Sequence, residues 1–346
     1  MKKTIIFVFF LSLIMINGID VINAGETKVI KWKMQCAYPP GDGSYDIFSK
    51  DFIKLMEKES HSNLKIELFT PGALTAVTEM VNAVSRGMYE VGFIYPMSYA
   101  GSVPIGDVVS GLPGAWSDDE KGIDEITELF WGDKYRLIDI VRAAYAKKGI
   151  YFFGIGVGGD YPFLVNFPLK QLDDLKGKKV RASGIGQKFL SSLGASSVFL
   201  PGGEIYMAIK LGTIDGTVFP TAILDKLKLQ EVVKYAVKPG LTSPGVAYII
   251  NMKAWNKLPK DLRDSLTEKK RIDLFRDTVK KYIENNKLAE KKAKDAGVEF
   301  YNLPDSEISK ARKIAMPLWD EVAKKDEFCA KAVEILKRYH KDKGNI

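Results

Sequence analysis

The chain has 346 residues, of which 46% are hydrophobic and 27% charged, and a formal net charge of +8. That length supports two domains with a sizeable core, and that balance excludes a mainly disordered chain. With only two cysteines and two histidines, a disulfide framework is excluded, and zinc or histidine-triad chemistry is disfavoured.

Met1 to Ala24 reads as a secretory signal peptide: Lys2 and Lys3, an apolar run from Ile5 to Ile16, and small or polar residues at the end. The apolar run is too short for a comfortable membrane span. Export permits disulfides, yet Cys36 and Cys329 stand at opposite ends of the mature chain and are read as unpaired.

Lys28–Ala37 predicts a first strand, leading into the Tyr38-Pro39-Pro40-Gly41-Asp42-Gly43 loop. Ser44 starts a helical pattern that runs to about Ser60, and Leu64–Phe69 is the next strand. A helix from about Thr75 to Arg86 precedes a short strand, Tyr89–Ile94. Strand, helix, strand, helix, strand is the grammar of a mostly parallel sheet covered by helices. The Pro- and Gly-rich segment from Tyr95 to Trp116, with Tyr99 inside it, suits either a cleft wall or irregular packing at a domain edge. Helices follow at Asp118–Phe130 and Lys134–Lys147, then a strand, Tyr151–Gly156. Gly158-Gly159-Asp160 and Pro239–Pro244 read as crossings between lobes.

Between them lies the most informative stretch. A strand, Lys179–Ala182, delivers Arg181 to a turn at Gly184 and Gly186, from which a helix runs to about Leu193. A second strand, Ser197–Leu200, enters a turn at Pro201-Gly202-Gly203, where Glu204 opens a helix, and Asp215-Gly216 leads into the strand Thr217–Phe219. A guanidinium at a strand end beside a helix N-terminus suits an anion. Ile223–Lys234 reads as a helix and Tyr248–Asn251 as a strand returning to the first lobe. A helical pattern then runs from Pro259 to Gly297, about 57 Å if unbroken, with a kink expected near Glu268–Arg271. An edge strand, Glu299–Leu303, and helices at Asp305–Lys324 and Glu327–Tyr339 close the chain.

Motifs for other chemistries fail. Gly154-Ile155-Gly156-Val157-Gly158-Gly159 fits a dinucleotide pattern, but no helix follows it. There is no phosphate loop and no nucleophile elbow. Glu204 and Asp215 remain candidates for a general base in an exported enzyme, although Asp215 before Gly216 also suits a turn. The lysines after Lys253 lack interleaved aromatic residues, so small anions are favoured over nucleic acid or lipid.

Four motifs in order, Asp174-Leu175-Lys176-Gly177-Lys178-Lys179-Val180-Arg181, Leu193-Gly194-Ala195, Pro201-Gly202-Gly203-Glu204-Ile205-Tyr206 and Gly212-Thr213-Ile214-Asp215-Gly216, resemble those of the DctP-type solute receptors of TRAP transporters. Pro71-Gly72-Ala73-Leu74, Glu79, Ala83-Val84 and Gly87 match the family's pattern in the first lobe. The resemblance implies an α/β, two-lobed periplasmic binding protein with hinge strands and a long helix across both lobes. It implies a division into lobe I, 25–154 plus 241–280, and lobe II, 155–240 plus 281–346. It also implies that Arg181 pairs bidentately with the carboxylate of an organic acid, which a membrane carrier then receives. Pro201-Gly202-Gly203-Glu204 and the Tyr95–Tyr99 loop look closest to receptors for 2-oxo and 2-hydroxy monocarboxylates. Ligand contacts are expected from Arg181, Glu204, Phe219, Val218, Tyr95 and Tyr99. In some relatives a metal is held by a Glu where this chain has Val218, so neither a metal nor another cofactor is expected. The assembly is expected to be a monomer or dimer.

Overall fold

A computed structural model describes residues 29–346 apart from Asp118 and Ser243. The signal peptide reading at 1–24 and the helix start at Asp118 lie outside the described residues. Asp119 caps the helix Glu120–Trp131, its carboxylate accepting from the Lys121 N–H at 3.0 Å.

Two sheets organise the chain. The first contains β1 (Ile30–Cys36), β2 (Leu64–Phe69), β3 (Val91–Ile94), β4 (Ile150–Val157) and β10 (Gly245–Asn251), in the order β2-β1-β3-β10-β4. β1 runs parallel to β2 and β3, while β10 enters antiparallel between β3 and β4. The second contains β5 (Phe163–Val165), β6 (Lys179–Arg181), β7 (Ser196–Val198), β8 (Gly216–Val218), β9 (Tyr235–Lys238) and β11 (Glu299–Asn302), in the order β11-β9-β5-β8-β6-β7. This is the two-sheet α/β architecture expected from the sequence, and β10 is the strand that returns to the first sheet.

The first sheet's core is aromatic. Phe52 stacks on Tyr248 with ring centroids 4.8 Å apart, and Phe93 tilts against Tyr248 at 4.7 Å. The Tyr248 hydroxyl donates to the Phe48 carbonyl at 3.0 Å, so its one polar atom is satisfied in the core. Both cysteines are buried and free, in keeping with the unpaired reading.

The expected long helix begins later than its hydrophobic pattern suggested. A short helix, Lys260–Ser265, ends at Leu266, and Thr267 then caps Glu268–Asp295 through its hydroxyl. The remaining 28 residues span about 42 Å. The N-terminal half packs on the first lobe: Arg271 is buried among the rings of Tyr151, Phe153 and Trp255. At the other end Ala293 joins the second lobe's core, and Lys292 pairs with Asp225 at 2.7 Å. One helix therefore bridges both lobes.

A second departure is at Ile223–Lys234. Instead of a helix, two short 3-10 turns, Thr221–Ile223 and Leu229–Glu231, flank Lys228, whose φ of 55° is incompatible with a right-handed helix. The lobe division also meets a complication. The C-terminal helix Glu327–Asp342, expected in lobe II, packs on first-lobe elements: His340 Nε2 bonds the Ala115 carbonyl at 2.9 Å and Asp342 accepts from Tyr135 at 2.7 Å.

The two crossings run side by side. A Cβ on Gly240 would lie 1.4 Å from the Tyr161 carbonyl oxygen, so only glycine permits this approach. Asp160, buried in the first crossing, accepts from Thr221 and Asn286 and pairs with Lys238 at 2.9 Å, and Lys238 pairs again with Glu290 on the long helix. This network ties both crossings to the bridging helix.

Candidate ligand-binding site

Strand ends and crossings meet in a cleft of about 800 Å³, counted out to its mouth. From the first lobe come Tyr38, just past β1, and Tyr95 and Met97, just past β3. From the second come Arg181 at the end of β6, Val218 at the end of β8, and Phe219. The helix Ile185–Ser192 adds Ile185 and Phe189, and the crossings add Tyr161 and Thr242. Parallel pairing sets this assembly: Arg181 is in register with Thr217 on β8 and Val198 on β7, which puts Val218 and Phe219 beside the arginine.

Arg181 is 7% exposed and its Nε donates to the Leu200 carbonyl at 3.0 Å. Its guanidinium carbon lies 4.9 Å from the centroid of the Phe219 ring and 5.6 Å from that of Phe199. No carboxylate among the described residues forms an ion pair with it; the other buried arginine, Arg271, also has none, but it is enclosed by aromatic rings and bonded to the Tyr151 hydroxyl, whereas Arg181 lines a cleft. Burial alone pushes its proton affinity down, and the neighbouring Tyr161 and Tyr95 push it back up; a guanidinium stays charged regardless. Burial likewise holds the phenols of Tyr38, Tyr95 and Tyr161 well above the usual tyrosine range, so all three remain hydrogen-bond donors at neutral pH. Tyr95 donates weakly to the Met97 sulfur at 3.7 Å.

The two lobes touch over this cleft. Gly184, at φ +55°, sits against Met97 of the opposite lobe, and a Cβ there would lie 2.0 Å from the Met97 Sδ. Lys226 reaches across to the Gly41 carbonyl.

Of the six residues expected at the site, the structure brings together Arg181, Val218, Phe219 and Tyr95. The other two lie elsewhere. Tyr99 is buried in the first lobe and donates to the Val77 carbonyl. Glu204 is exposed at the start of its helix, outside the cleft. Asp215 accepts from the Lys179 N–H at 2.7 Å, the turn role that its place before Gly216 suggests. Trp116, from the same Pro- and Gly-rich segment, meets Phe130 edge to face in the core. Sequence reasoning missed Tyr38, Met97, Tyr161 and Phe189. Tyr38 and Tyr161 could have been found, because each stands in a turn immediately after a first-lobe strand, where a parallel sheet gathers its ligand contacts.

A metal does not fit here. Among the described residues the cleft presents phenols, hydroxyls and one guanidinium, without a carboxylate to hold a hard cation, and Val218 occupies the place where a Glu was considered.

Comparison with known proteins agrees with this geometry. Residues 37–326 match the DctP family model, described as bacterial extracellular solute-binding protein, family 7. The chain is 25% identical to the monocarboxylate 2-oxoacid-binding periplasmic protein of Nostoc sp., over 92% of this chain and 86% of that one. It is 27% identical to the C4-dicarboxylate-binding periplasmic protein of Rhodobacter capsulatus, over 89% and 90%. Among solved structures, a TRAP periplasmic solute-binding protein from Rhodobacter sphaeroides, in an apo open form, superposes with a TM-score of 0.78 at 25% identity, covering 91% of this chain and 99% of the other.

Proposed function

The chain belongs to the DctP family of bacterial extracellular solute-binding proteins, and from that premise we propose that it captures a small organic monocarboxylate, such as a 2-oxo or 2-hydroxy acid, between its lobes. The observation that carries the reading is Arg181, a buried guanidinium that faces the cleft without an ion-pair partner. Burying a charge without a counter-ion costs several kcal/mol, roughly; a carboxylate ligand supplies the missing partner. Arg181 gives charge and orientation through its planar fork, and the Nε–Leu200 bond fixes that fork before the ligand arrives. Tyr95, Tyr38 and Tyr161 donate to remaining ligand oxygens, and Phe219 and Val218 form apolar cover.

Closure follows from the placement of these groups. Arg181 and Phe219 belong to one lobe, Tyr38 and Tyr95 to the other, so the ligand makes its full set of contacts only when the lobes meet. The lobes are drawn as 25–154 plus 241–280 and 155–240 plus 281–346, with the C-terminal helix lying back on the first. Residues 1–24 direct export, the mature receptor works in the periplasm, and it hands its ligand to the membrane subunits of a TRAP-type carrier. Among the described residues no helix is long and apolar enough to cross a membrane. The alternative of an exported enzyme loses its bases: Glu204 and Asp215 both lie outside the cleft.

Thermal shift against 2-oxo acids, hydroxy acids, dicarboxylates, sulfonates and sugars tests the reading. Stabilisation by monocarboxylates is expected; if only sugars stabilise the protein, or if any ligand is turned over, the reading is wrong.

A further inference from the structure

Resting on that reading of the cleft, we propose that the physiological ligand is a monocarboxylate with a bulky apolar body, branched aliphatic or aromatic, bound without a metal ion. Three observations carry this beyond the carboxylate itself.

The first is the charge count. Arg181 is the one Lys, Arg, Asp, Glu or His side chain that lines the cleft among the described residues. A second carboxylate on the ligand would find no second cation, and an ammonium group would find no anion. Either would be stranded in a closed, water-poor space, at a cost that selects against dicarboxylates and amino acids.

The second is the lining. Ile185 and Phe189 stand four residues apart on one helix, so both present the same face to the cleft just beyond Arg181. Val218 and Phe219 flank the arginine, and Met97 closes the opposite side. A carboxylate seated on Arg181 therefore projects its remaining atoms among apolar side chains.

The third is the donor set. Beside Arg181, the polar side chains lining the cleft among the described residues are three phenols and the hydroxyls of Ser110, Ser183 and Thr242. They can donate to an anion's oxygens but offer no negative charge to a cation. Among the described residues metal-bridged recognition of a small chelating acid finds no anionic ligand here, and affinity must come from Arg181 and apolar burial instead.

The magnitude follows from burial. Each methylene moved from water into an apolar site raises affinity about fourfold. Replacing the methyl of pyruvate by an isobutyl or benzyl group adds three or more such carbons, and a gain of about tenfold or more survives imperfect packing.

The test is isothermal titration of the mature protein with pyruvate, 4-methyl-2-oxopentanoate, phenylpyruvate and succinate, each with EDTA and with calcium. Either bulky acid should bind about tenfold or more tightly than pyruvate, with EDTA changing its affinity less than about twofold. The inference is overturned if pyruvate binds as tightly as both, or if EDTA abolishes binding. Those results leave the monocarboxylate reading standing. Heat from succinate alone would sink both. In the variant Ile185→Trp, which narrows the apolar end, affinity for the preferred bulky acid should fall about tenfold while that for pyruvate falls less than about threefold. Equal losses for both acids would place the body of the ligand elsewhere.

Discussion

Replacing Arg181 separates binding from stability, because the same burial that makes it a good anion anchor makes it costly in the empty protein. A carboxylate held by a guanidinium fork gains two charge-assisted hydrogen bonds, each about 1.5–3 kcal/mol. Arg181→Met removes both, so affinity should drop roughly 10²- to 10⁴-fold. Arg181→Lys keeps the charge but loses the fork and the Nε bond to Leu200, and a loss of about 10- to 100-fold is expected. Without ligand the signs reverse. Met fills similar volume, and in removing a desolvated cation that has no counter-ion it also gives up one hydrogen bond of about 1 kcal/mol. A net stabilisation of about 1–2 kcal/mol should remain, which raises Tm by about 1.5–3 °C. Calorimetric titration measures the first effect, and differential scanning calorimetry of ligand-free protein measures the second. Glu204→Gln, exposed and outside the cleft, serves as the control that leaves both unchanged. If Arg181→Met binds a monocarboxylate within about threefold of the parent, the carboxylate does not sit on Arg181, and the argument from its buried charge collapses.

Two further outcomes test other parts of the molecule. Gly184→Ala puts a Cβ into Met97 across the cleft and strains a residue at φ +55°; affinity should fall about tenfold and ligand-induced compaction in small-angle scattering should shrink. Met97→Ala in the same chain should restore part of the loss, and no restoration would mean that the contact is irrelevant to closure. His340 is buried with its Nε2–H donated to the Ala115 carbonyl and its Nδ1 accepting from Asn345, and burial pushes it down from 6.5 to about 4. The unfolded chain then takes up the proton first as pH falls, so this contribution is complete above pH 6.5 and is lost progressively toward pH 4. The parent should lose about 2–3 kcal/mol more than His340→Gln between pH 7 and 4, read by denaturant unfolding, and equal losses would contradict a neutral buried imidazole.

Local chemistry was legible in the sequence where it is decided locally. Hydrophobic alternation and turn residues located nearly every strand, and the placement of Arg181 at a strand end before a Gly turn held in three dimensions. Asp215 before Gly216 was a turn residue, as its neighbours suggested. Where a helical period continued past a weak local signal, the reading failed. Lys228, inside the expected Ile223–Lys234 helix, adopts a left-handed conformation that no period reveals, whereas the interruption expected near Glu268–Arg271 does occur, just before it, where the Thr267 hydroxyl caps a new helix.

The composition of the site was a tertiary decision. Tyr95 and Tyr99 sit one 3-10 turn apart, Pro96–Tyr99, and that turn sends one ring to the cleft and the other to the Val77 carbonyl. Tyr38, Met97 and Phe189 join Arg181 from segments 84 to 143 residues earlier and 8 later in the chain, brought together only when two sheets and two crossings close. Two α/β units and an arginine placed to meet an anion were readable from the residues alone, since both depend on periodicity and turns within a few residues. Which side chains surround that anion depended on the packing of one lobe against the other. No local preference encodes that packing, because its driving force is burial between residues far apart in the chain.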